Sequence, residues 1–165
     1  MSNDPPLELK LFVGTSGAIR ALAGRAGNPP IYKPGTLEHD LLVLPMDDLT
    51  QDRLHRAYGT GDWPDPTIAL SSGDLKVCAK VSLGGRLAFI NAIAEHNGFH
   101  QSAAAWSDGH MSVRPLTLAA SDQANRPRRL WPINVALAEL GIPNTGQQDA
   151  MAASGLMQFA SNDEL

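Results

Sequence analysis

Gly14-Thr15-Ser16-Gly17 is the stretch where residue types and order point most directly to chemistry. Two glycines bracket two hydroxyls, between an apolar run and a segment with helical spacing. A strand turning into a helix leaves backbone N–H groups free at the helix N-terminus, and such groups can hold an anion. Gly14, Thr15, Ser16 and Gly17 are therefore the candidate ligand-binding residues. The stretch is not a P-loop, which needs Lys and then Ser or Thr after its last glycine; Ala18-Ile19 stands there instead. The spaced glycines of a dinucleotide fingerprint are also missing. Gly14-Thr15-Ser16-Gly17-Ala18 also spells Gly-x-Ser-x-Ala, the pattern of a nucleophile elbow. That elbow normally follows several strands, and here a single strand precedes it. An enzyme built on Ser16 would need a helper such as His39 or Asp40 at the next strand. The simpler expectation is a structural turn with a helix cap, in which Gly17 is required and Gly17→Val unfolds the chain.

Other constellations are less coherent. Asp65 followed by Asp74-Leu75-Lys76 has the acid, then acid-x-Lys order of some metal nucleases. On the hairpin expected there, these side chains point to opposite faces and share no metal. His96, His100, Asp108 and His110 lie close in sequence, but a predicted helix stop at Asn97-Gly98 separates the first two. No metal site and no cofactor are expected. Arg126-Pro127-Arg128-Arg129, with Trp131 just beyond, is the densest positive run. A ring beside guanidinium groups suits a stacked base, a phosphate or an acidic protein. Lys76, Lys80, Arg86 and Arg114 are candidates to join it. Trp63, in a glycine- and proline-rich loop, is either a plug over the core or an exposed anchor for a partner.

The whole chain sets limits on these readings. Its 165 residues suffice for one domain with a real core. The net charge of −4 disfavours sequence-blind binding to nucleic acid or to an anionic membrane. Cys78 is the only cysteine, so no intramolecular disulfide and no cysteine-based zinc site can form. No secretory signal and no membrane-spanning run is read from the sequence, and the cytoplasm is the expected location.

The elements expected to position these residues begin with a strand at Leu7–Val13 and a helix from Ala18 stopping at Gly27. Asp40–Pro45 reads as a buried strand, and Asp47-Asp48 open a helix with acids in its first turn. Thr67–Leu70 and Leu75–Ser82 read as a hairpin around Ser71–Asp74, because Leu75, Val77, Ala79 and Val81 alternate. Leu87–His96 reads as a helix with Phe89, Ile90, Ile93 and Ala94 on one face. Ser102–Trp106 and His110–Arg114 form a hairpin around Ser107-Asp108-Gly109, and Trp131–Leu140 is a last helix capped by Gly141. The fold class is α+β (or α/β): a single domain over residues 1–142, with a mixed sheet of five to six strands and three to four helices packed on it. Residues 143–165, including Met151, Leu156, Met157 and Phe159, are expected to be a flexible or partner-docking tail. A chain ending after Pro143 should then melt almost as the whole one does.

The leading functional expectation is a non-catalytic protein-binding protein of inhibitor, immunity, adaptor or regulatory-subunit type. It would grip another protein through Trp63, Arg126, Arg128, Arg129, Trp131 and Phe159. The alternative is a small enzyme or ligand-binding domain with an anion site at Gly14–Gly17. The third is a nucleic-acid-binding accessory using Arg126–Arg129.

Overall fold

The computed structural model describes residues 7–33, 40–64, 68–96, 98–142, 156, 161 and 162. β1 (Leu7–Thr15) leads straight into α1 (Ser16–Arg25), followed by β2 (Leu41–Pro45), α2 (Asp48–Tyr58) and α3 (Ser72–Val81). Then come β3 (Arg86–Glu95), β4 (Gly98–Ser107), β5 (His110–Leu118), α4 (Pro132–Glu139) and the two-residue β6 (Ser161–Asn162). The strand order is β2-β1-β3-β4-β5, with β6 on β1 beyond the end of β2. The α+β class holds, and every described pairing is antiparallel.

The sheet separates two cores. Phe12, Leu42, Leu44, Leu87, Phe89 and Trp106 face α1, α2 and α3. Leu9, Leu11, Val13, Val43, Ile90 and Ala103 face α4, which adds Ile133, Ala136 and Leu137. Successive strand residues alternate between these layers, so β1, β2 and β3 are buried on both sides.

That double burial explains why Leu87–His96 is a strand and not the expected helix. A central strand covered on both faces carries an almost continuous apolar run, in which helical spacing appears by chance. Phe89 and Ile90 face opposite cores instead of sharing a helix face. The expected hairpin at Thr67–Ser82 is likewise replaced, by α3. Besides Gly73, its buried positions are Asp74, Val77, Cys78 and Val81, at i, i+3, i+4 and i+7. Ser71 and Asp74 close a reciprocal capping box at its start. The alternation of Leu75, Val77, Ala79 and Val81 was incidental to that helical stripe.

Other expectations hold closely. Asp47 caps α2 by accepting from the Thr50 N–H at 2.7 Å. Asp108 and Gly109 both have positive φ, the geometry of a two-residue hairpin turn. Pro132 opens α4 and Gly141 follows it at φ 81. β5 forms a sheet edge, with Pro115 within it and register shifts against β4, features that discourage pairing with a further strand.

Cys78 faces the core of α3 beside Val77 and Val81 and is 1 % exposed. Burial, and after it the charge of Asp74, push its thiol well above the ordinary range; a backbone hydrogen bond opposes this more weakly. Native protein should therefore resist thiol reagents and be labelled only on unfolding. The folded chain keeps a proton that the unfolded chain releases above about pH 8.5. Stability should thus fall as pH rises past that value, and Cys78→Ala should flatten the decline in chemical denaturation.

Candidate functional site

The turn after β1 is built largely as a structural joint. Thr15 is the residue before α1, and its Oγ1 accepts from the Arg86 N–H at 3.2 Å and donates to the Arg86 carbonyl at 3.3 Å. This ties the start of α1 to the start of β3, just past the end of α3. Gly14 is required there: a Cβ would stand 2.6 Å from the Arg86 carbonyl oxygen. Gly17 is not, because a Cβ would meet nothing within 4 Å. The expectation that Gly17→Val unfolds the chain is therefore reversed. Ser16 Oγ accepts from Arg20 Nε at 3.1 Å. Asp40 sits at the turn into β2, one residue from Leu41, which pairs with Thr15. His39 lies outside the described residues.

Beside this turn a cleft of about 330 Å³ opens between α1 and the end of α3. Thr15, Gly17, Ala21 and Arg25 line one wall, Lys80 and Gly84 the other. Of the four predicted ligand residues, Thr15 and Gly17 border it; Gly14 is buried and Ser16 is turned to Arg20.

A second constellation escaped the sequence reading. Asp74 is 4 % exposed, and both of its carboxylate oxygens lie 3.1 Å from His55 Nε2. Its Oδ2 also accepts from the Ser71 N–H at 2.9 Å and from Gln51 Nε2 at 3.3 Å. Gln51 Oε1 accepts in turn from Lys10 Nζ at 2.8 Å. Ser71, His55 and Asp74 have the residue types of a hydrolytic triad but not its geometry. Ser71 Oγ and Asp74 both approach Nε2, where a triad places them on opposite ring nitrogens. Ser71 is fully buried, and its Oγ accepts from the Asp74 N–H at 3.2 Å. The cluster caps α3 and holds His55. The signal that could have located it is Ser71-x-x-Asp74, a capping-box spacing.

Trp63 stands on this cluster. Its ring meets His55 edge-on, with centroids 6.0 Å apart, and the residue is 48 % exposed. It is therefore not a core plug. The loop before it is clamped by α3: the Ser72 N–H donates to the Asp62 carbonyl at 2.7 Å and the Gly73 N–H to the Thr60 carbonyl at 3.0 Å. The Asp62 N–H donates to Ser72 Oγ at 2.9 Å. A Cβ at Gly73 would collide with the Gly59 carbonyl, so this close approach needs glycine.

Arg126, Arg128 and Arg129 are exposed on the segment leading into α4. The Arg128 guanidinium lies 5.6 Å from the Trp131 ring centroid, and Trp131 Nε1 donates to the Arg126 carbonyl at 3.0 Å. This segment feeds the α4 layer, whereas Trp63, Lys76 and Lys80 belong to the opposite layer. The structure does not join these groups into one surface. Arg86 is turned toward the end of α4, donating to the Glu139 carbonyl at 3.1 Å. Phe159 lies outside the described residues.

The nuclease-like spacing is not assembled on a hairpin: Asp74 is buried on α3, Lys76 is exposed two residues on, and Asp65 lies outside the described residues. Histidines do not gather either. His100 pairs with Glu95 at 3.8 Å near the start of β4, while His110 pairs with Ser107 at its other end, about 23 Å along the strand. Asp108 accepts from the Gly84 N–H at 2.9 Å. Among the described residues no group of metal-ligating side chains is assembled, and no helix is long and apolar enough to cross a membrane.

No protein-family model, no curated protein and no solved structure matches this chain.

Proposed function

We propose that this chain is a non-catalytic protein-binding protein that presents Trp63 as its anchor, acting in the cytoplasm as an inhibitor, immunity protein, adaptor or regulatory subunit. One observation supports this reading above the others: Trp63 is half exposed, yet its ring and its loop are already held in place. Exposed tryptophans dominate binding hot spots. An ordered one gives up little conformational entropy when a partner closes over it. The Arg126–Arg129 segment with Trp131, on the other layer, would serve as a separate contact.

Trp63→Ala tests the proposal. A partner recovered with the wild-type chain as bait, then purified, should bind the variant at least about 30-fold more weakly, a loss of about 2 kcal/mol. Folding stability should change by no more than about 0.5 kcal/mol, as for an ordinary surface substitution. Unchanged affinity by calorimetry would remove Trp63 as the anchor. Turnover of a small substrate, abolished by Ser16→Ala in a folded protein, would replace the whole reading with an enzyme.

A further inference from the structure

The cleft between α1 and the end of α3 has a chemistry of its own, independent of Trp63. Its volume of about 330 Å³ falls in the range of small-ligand sites. Among the described residues, the charged side chains lining it are Arg25 and Lys80, with no carboxylate. Arg25 is already positioned. Its Nη1 donates to the Ala21 carbonyl at 3.1 Å, and its guanidinium lies 5.8 Å from the Tyr58 ring centroid. Its Nε is buried and has no hydrogen-bond partner. Lys80 stands across the cleft in the last turn of α3, with no ion pair among the described residues. The floor between them is aliphatic, from Ala21 and Val81, with Leu83 66 % exposed at the rim. Gly17 leaves the mouth open.

We propose that this cleft binds a small organic phosphate, a phosphate monoester, held by the Arg25 guanidinium and the Lys80 ammonium with its carbon skeleton along the aliphatic floor. A phosphate monoester carries nearly two negative charges at neutral pH, matching two cations on two helices, where a carboxylate offers one. Arginine suits this role because its planar fork presents paired donors to the oxygens. The Thr15 hydroxyl is committed to Arg86 and takes no part.

The experiment is an amide-resolved NMR titration of the full chain with glycerol 3-phosphate, inorganic phosphate and succinate. Glycerol 3-phosphate should shift the amides of Gly17, Ala21 and Gly84 saturably and bind more tightly than the other two. Arg25→Met and Lys80→Met should each weaken it about tenfold or more. Gly17→Leu should weaken it as much by filling the mouth, with Tm unchanged or raised, since no neighbour obstructs the new side chain. Equal binding of inorganic phosphate would overturn the monoester assignment, and equal binding of succinate the phosphate assignment. Absence of shifts at the cleft, or indifference to Lys80→Met and Gly17→Leu in folded protein, would overturn the site.

Discussion

Asp74→Ala should cost about 2–4 kcal/mol of folding stability, about 1 from the lost helix cap and about 1–3 from a buried donor left unsatisfied. Asp74 is almost fully buried and serves the Ser71 N–H, Gln51 Nε2 and His55 Nε2 together. Alanine leaves the buried Ser71 N–H without its side-chain acceptor and takes the carboxylate from His55, while Gln51 Nε2 keeps the Ala69 carbonyl at 3.1 Å. It also opens the capping box at the start of α3. Asp74→Asn keeps an acceptor for the Ser71 N–H and should lose less. Urea denaturation followed by circular dichroism measures both variants. Because His55 supports the Trp63 ring, Asp74→Ala should also change native tryptophan fluorescence and weaken the partner contact. A loss below about 1 kcal/mol would mean that the network orients His55 without stabilising the fold.

The second large effect lies in the tail. Leu156 is fully buried in the core on the α4 side, and Ser161–Asn162 pair with Leu7 and Glu8 of β1. Leu156→Ala should therefore cost about 2–5 kcal/mol, through lost apolar burial and the cavity left behind. For a chain of this size that lowers Tm by about 5–15 °C. A chain ending after residue 142 should lose at least as much, since it forfeits β6 as well. This reverses the expectation that truncation after Pro143 leaves melting unchanged. A truncated chain that melts within a degree or two of the whole one, in a calorimetric scan, would show that neither contact contributes.

Several elements could be read directly because their signals are local. Asp47 declares the start of α2, Pro132 and Gly141 bracket α4, and Asp108-Gly109 dictates the β4–β5 turn. Each acts through its own backbone geometry or a bond to a near neighbour, so no distant residue need be known. The strand-to-helix turn at Gly14–Gly17 was legible for the same reason. The roles of its two glycines were not. Gly14 answers to the Arg86 carbonyl, 72 positions away, and Gly17 to empty space. The candidate site was half legible in the same way. Thr15 and Gly17 were visible, whereas Arg25 and Lys80 join them only because α1 packs on α3.

What the sequence by itself determined was the α+β class, the first strand and helix, the start of α2 and both ends of α4, the β4–β5 turn, and the absence of any internal disulfide. Tertiary structure alone decided the states of Leu75–Ser82 and Leu87–His96. Periodicity reports how a segment is buried, and burial depends on what covers it. β3 carries cores on both faces and so shows no alternation, while α3 covers the sheet with one stripe and keeps its other apolar residues near the rim. Packing also decided that Trp63 is held on His55, that Asp74 is buried beneath it, and that the arginine segment lies on the opposite layer. These are contacts between residues far apart along the chain, and no local pattern encodes them.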